Sequence, residues 1–151
     1  MTALRLVVTL LLGSLGVAGC GGHAGRHDTG LVPDGVRALP SGQVLSNNVE
    51  NTVTATTDLG FSVAVEDTGD SQDFQVKVKV TLTTQQSPSP LVQTRTIDLT
   101  GSGVQKTVIF RNLGQVQFAT KTTVKVDVQP VAEEKSTSNN SAEFPVIFSL
   151  G

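Results

Sequence analysis

The 151-residue sequence has no tryptophan and no tyrosine, one cysteine, one methionine, two histidines and six phenylalanines. A lone cysteine cannot staple the chain to itself, so a folded domain here must hold by its apolar core alone. Without tyrosine or tryptophan there is little to stack on a sugar ring or a base. Both histidines and the cysteine lie before residue 28. Histidine triads, cysteine nucleophiles and zinc or copper sites with nitrogen and sulfur ligands are therefore excluded from the rest of the chain, which is not expected to be an enzyme. Charge of one sign is not in excess either: 11 basic residues face 13 acidic ones, a formal net charge of -2. Such a chain has no electrostatic footprint for nucleic acid. No apolar run is long enough to cross a bilayer, which takes about 20 residues in a helix.

The longest apolar run covers residues 6–17 and ends in Val17-Ala18-Gly19-Cys20, with Arg5 before it. Its length and flanks are those of a cleaved export signal. It resembles a bacterial lipoprotein signal peptide, with Val17, Ala18 and Gly19 as the lipobox and Cys20 as the lipidated residue. The resemblance implies cleavage before Cys20, acylation of that residue with palmitate among its chains, and a lipid-anchored protein at the cell membrane or surface, facing outside the cytoplasm. One acyl chain holds a protein only marginally, whereas two or three on one residue anchor it stably. The competing reading is an ordinary secretory signal with an incidental cysteine.

Three regions follow: a signal over 1–19, the lipidated cysteine and a flexible, disordered tether over 20–48, and a folded domain over 49–151. Within the tether, residues 21–46 are rich in glycine, carry Pro33 and Pro40, and show no sustained period. A flexible spacer of that length reaches roughly 27 Å. His23 and His27 stand four apart among glycines that disfavour a helix, and read as two solvated linker side chains.

Beyond residue 48 the pattern becomes alternation rich in β-branched residues, the mark of strands. The clearest run is 74–82, where Phe74, Val76, Val78, Val80 and Leu82 alternate with Lys77 and Lys79 on the other face; residues 122–128 match it. Weaker runs cover 49–56, 59–65, 91–99, 104–110 and 142–150, separated by Gly-, Pro- and Asn-rich turns. The fold class expected is all-β, a seven-stranded antiparallel immunoglobulin-like sandwich. Pro145 predicts an edge or a bulge in the last strand. The order of these features resembles a CARDB domain, the cell adhesion related domain found in bacteria. It comprises Phe61-x-Val63-x-Val65-x-Asp67-x-Gly69, Ile97-x-Leu99, Val108-x-Phe110, Val126-Asp127-Val128 and Ser138-Asn139-Asn140-Ser141. The resemblance covers about residues 55–150 and implies an extracellular binding module without catalytic residues.

Three constellations remain. In an immunoglobulin-like order, Glu66, Asp67, Asp70 and Asp73 lie at the same end as Glu133 and Glu134. Oxygen ligands gathered from loops suit Ca2+, although the spacing is not that of an EF-hand. The other reading is a pair of solvated turns with Asp holding local backbone and Gly69 at positive φ. Lys77, Lys79 and Lys125 share an outer face, as a polyanion site or as partners of Asp127 and Glu143 in cross-strand pairs that resist aggregation. Asn139 and Asn140 form a recognition loop or close a turn. Together these features predict a non-catalytic envelope lipoprotein that displays its domain to an unknown protein partner for adhesion or surface assembly. The alternative is a surface ligand-binding lipoprotein that uses the acidic loops for Ca2+ or other cations.

Overall fold

The computed structural model describes residues 25–87, 89–114 and 116–151. Cys20, the lipobox residues Val17, Ala18 and Gly19, and His23 lie outside them. The described residues form nine strands and no helix: β1 (Thr29–Leu39), β2 (Gln43–Val44), β3 (Asn51–Ala55), β4 (Gly60–Asp67), β5 (Asp73–Thr84), β6 (Leu91–Leu99), β7 (Gln105–Arg111), β8 (Lys121–Val128) and β9 (Ser141–Leu150). They build two sheets, ordered β2-β1-β4-β7 and β3-β9-β8-β5-β6. All strand pairs are antiparallel except β3 with β9.

Alternation explains most of the core. Val76, Val78, Val80 and Leu82 of β5 and Val124, Val126 and Val128 of β8 turn inward to meet Phe61, Val63 and Val65 of β4 and Phe110 of β7. Phe61, Phe110 and Phe148 are its largest fully buried side chains. Each such ring contributes about 3–5 kcal/mol by the usual cost of truncating it to alanine. Among the described residues, every strand and every core residue lies between positions 29 and 150.

The structure corrects the sequence reading in three places. First, there are nine strands rather than seven, because β1 and β2 fall in the stretch read as a flexible tether. Residues 29–31 pair with 65–67 of β4 and residues 36–39 with 60–63, across a register shift between Leu31 and Val36. That bulge, with Asp34 at φ 55°, interrupts the apolar alternation of Leu31, Val36 and Ala38. Strand β1 therefore carries no continuous period.

Second, Phe74 does not point into the core. A bulge between Asp73 and Val76, with Gln75 at φ 58°, reverses the pleat. Phe74 is 58% exposed and Asp73 only 3%. Third, β9 is flanked by both β8 and β3 and is not an edge strand. Pro145 is tolerated because the β3 ladder begins only opposite Val146, and the Pro145 carbonyl accepts instead from Asn51 Nδ2 at 3.1 Å.

Candidate functional site

The chain enters the sandwich at one end, here called the near pole. It gathers residues 25–28, the β4–β5 turn, the β6–β7 turn and the β8–β9 loop. The carbonyl of Asp28 accepts from the amides of Thr68 (2.8 Å) and Gly69 (3.2 Å), and that of Arg26 accepts from Asp70 (2.9 Å) and Ser71 (3.3 Å). Arg26 N donates to Asp70 Oδ1. The fit requires glycine at position 69, where a β-carbon would run into the Arg26 carbonyl. On the other side Glu134 Oε1 accepts from Thr29 N (3.0 Å) and from Asn140 Nδ2 (3.2 Å), while its Oε2 accepts from Val131 N (2.9 Å). Leu31 N donates to the Asn139 carbonyl at 2.9 Å. Two loops thus grip the entering segment from both sides.

His27 lies in that grip with its Nδ1 2.5 Å from Asp73 Oδ1. The hydrogen bond to Asp73 raises the imidazole above its ordinary pKa. Burial works against the shift, and the charges of Asp73, Glu133 and Asp67 add to it. Asp67 is fully buried, and burial raises its carboxyl above the ordinary range. The Gly69 N–H bond to its Oδ1 (2.8 Å) opposes that rise. Neighbouring Asp73 and Asp28 reinforce it while His27 lowers it. The second oxygens of Asp67 and Asp73 are buried with no hydrogen-bond partner.

The six carboxylates considered for Ca2+ are therefore committed in different ways. Asp67, Asp70, Asp73 and Glu134 turn toward the backbone, His27 and Asn140, while Glu66 on β4 accepts from Gln105 Nε2 at 3.0 Å. Glu133, at φ 65°, lies close enough to His27 to raise its pKa. Among the described residues no group of three or more His, Cys, Asp or Glu side chains is placed to hold a metal ion. Asn139 and Asn140 act on the fold, the first through its carbonyl and the second by capping Glu134 and accepting Val128 N at 2.7 Å.

Lys77, Lys79 and Lys125 do share the outer face of the five-stranded sheet. Asp127 lies 3.5 Å from both Lys79 and Lys125, and Glu143 is the register partner of Lys125. Lys77 makes no ion pair among the described residues. The opposite end, the far pole, is different in kind. An open cleft of about 1280 Å3 there is lined by Ala55, Leu59, Leu113, Val116 and Phe118 together with at least as many polar side chains, threonines, glutamines and an asparagine.

Sequence reasoning missed His27 and Arg26 as parts of this arrangement, because their partners lie more than 40 positions away. The apolar Leu31, Val36 and Ala38 just downstream were the one signal that the segment was structured. Fold and site together define an all-β, two-sheet sandwich whose entering segment is bonded into one end. No protein-family model matches the chain, and no curated protein does.

Proposed function

We propose that this chain is a non-catalytic cell-envelope lipoprotein, anchored through Cys20, that displays an immunoglobulin-like domain of the CARDB kind for contact with another protein, in adhesion or surface assembly. The observation that carries the reading is polarity along the long axis. The chain enters at the near pole only five residues after Cys20, and the open cleft, with Leu59, Leu113, Val116 and Phe118 in its wall, lies at the other end. Strand β5 runs between the poles, and its 12 residues at ~3.3 Å each span roughly 40 Å. A lipid on Cys20 would then turn the cleft away from the membrane.

The strand order supports the immunoglobulin-like reading. Strands β4 and β7 pair in one sheet while β5, β8 and β9 adjoin in the other, as the B–E and C–F–G strands of that fold do. The use of His27 and Asp73 to hold the entering segment supports a non-catalytic role.

Replacing Cys20 with alanine should move the protein from the membrane pellet to the soluble fraction; retention in the pellet would contradict the anchor. The contact reading is tested separately with a photoreactive residue at position 118 on intact cells. It should give a defined cross-linked species that the same residue at position 105 does not give. The same smear from both positions would argue against a partner at the far pole.

A further inference from the structure

A bulge, a row of lysines and the point of chain entry coincide on one side of the near pole. Alternation along β5 would bury Phe74, yet Gln75 adopts a left-handed backbone that a side chain of its type rarely takes, and the ring is turned out to solvent. Bulges of this kind re-aim a side chain where function requires it. Phe74 borders a shallow groove of about 440 Å3 with Lys77, Pro130, Val131 and Ala132. An adjoining groove of about 520 Å3 carries Lys77, Lys79 and Lys125, with Asp127 as its one acidic lining residue. Lys79 and Lys125 share Asp127, whereas Lys77, nearest the ring, has no ion-pair partner among the described residues; an exposed ring beside such a lysine is the composition that settles at the boundary of an anionic bilayer.

Several acids of the same pole are held away from this face, and Glu133, beside Ala132 at the rim of the first groove, is the exposed one next to it. Asp67 and Asp73 are buried, and Asp70 and Glu134 accept from backbone amides around the entering segment. Asp28 lies 3.9 Å from the Arg26 guanidinium.

We propose that Phe74, Lys77, Lys79 and Lys125 form a surface that rests on the head groups of anionic lipid. The proposal builds on the anchor at Cys20 and adds that the domain lies against the membrane at its near pole. Five residues from Cys20 to Gly25 span at most roughly 18 Å when fully extended. A lipid on Cys20 would hold this pole within that distance of the head groups. Attraction between lysines and lipid phosphate acts over about 8 Å at physiological salt, so the face needs only a modest tilt to engage.

The test uses residues 21–151, which contain every strand and core residue found among the described residues but neither the proposed signal nor Cys20. This chain should sediment with phosphatidylglycerol vesicles and not with phosphatidylcholine vesicles, and added salt should release it. Lys77→Gln should weaken binding about fivefold, the factor that follows from one lysine near an anionic surface. Phe74→Ser should weaken it further, and Lys106→Gln, on the other sheet, should leave it unchanged. Equal binding to both lipids, no binding to either, or equal loss from Lys77→Gln and Lys106→Gln would overturn the proposal. So would full competition by soluble glycerol phosphate, which would assign the groove to a free phosphate ligand. None of these results bears on Cys20, whose anchoring is read from cell fractionation.

Discussion

The two poles of the sandwich are held by different physics. At the near pole, residues 25–28 are bonded to the β4–β5 turn by four backbone amides, and the strand that follows is tied to the β8–β9 loop by Glu134 and Asn139. At the far pole, Leu59 and Leu113 are buried under an open cleft of mixed lining, and the connection between β7 and β8 is held by bonds such as Ala119 N to the Phe148 carbonyl at 2.9 Å. Directional polar bonds fix one conformation, because each buried donor left without a partner costs free energy. Apolar contact is non-directional and leaves a surface that another protein can share. The near pole is fixed by directional bonds and the far pole by apolar burial.

The largest test of the contrast is Leu113→Ala, which should destabilise the domain by about 2–5 kcal/mol in denaturant, the usual range for a buried leucine. A change below one kcal/mol would mean that the far pole is not held by apolar burial. Next is Glu134→Ala, which leaves Thr29 N, Val131 N and Asn140 Nδ2 without their acceptor. A loss of about 1–3 kcal/mol is expected, with faster amide exchange at Thr29. Glu134→Gln keeps one acceptor oxygen and should lose less.

The pH dependence separates the poles further. His27 has a raised folded pKa, so its stabilising contribution is complete below the ordinary imidazole value of about 6.5 and disappears as pH climbs through the folded value. Asp67 is also raised, chiefly by burial. Its buried charge opposes folding above its folded value, and that penalty vanishes below the ordinary carboxyl value. Both groups make stability fall with rising pH, Asp67 upward from the ordinary carboxyl range and His27 upward from the ordinary imidazole value. Melting His27→Gln and Asp67→Asn across pH should give flatter curves in those two ranges, whereas Leu113→Ala should shift the whole curve evenly. The smallest effect belongs to Phe118→Ser, which should stay within about 0.5 kcal/mol of wild type because the ring is 46% exposed.

Much of the sandwich can be read from the sequence, for a physical reason that also marks where reading stops. Strands β5 and β8 are wet on one face and dry on the other, so their valines and lysines alternate in plain view. The meeting of the β4–β5 and β8–β9 connections at one end follows from sandwich topology alone. Strand β1 was hidden because Pro33, Asp34 and Gly35 form a bulge in its middle and break the period that would announce it. Phe74 misled for a related reason: nothing in its neighbours signals that Gln75 would take a left-handed backbone. His27 looked solvated because what binds it, Asp73, is near only after two sheets have formed.

Residues 29–44 belong to the folded domain and leave only a short stretch between Cys20 and the near pole. Amide hydrogen exchange over that segment tests it most directly. Amides of β1 such as Leu31 and Ala38, together with Leu45 just beyond β2, should exchange as slowly as those of β4 and much more slowly than a free chain. Exchange across 29–44 at free-chain rates, with β4 still protected, would contradict the account.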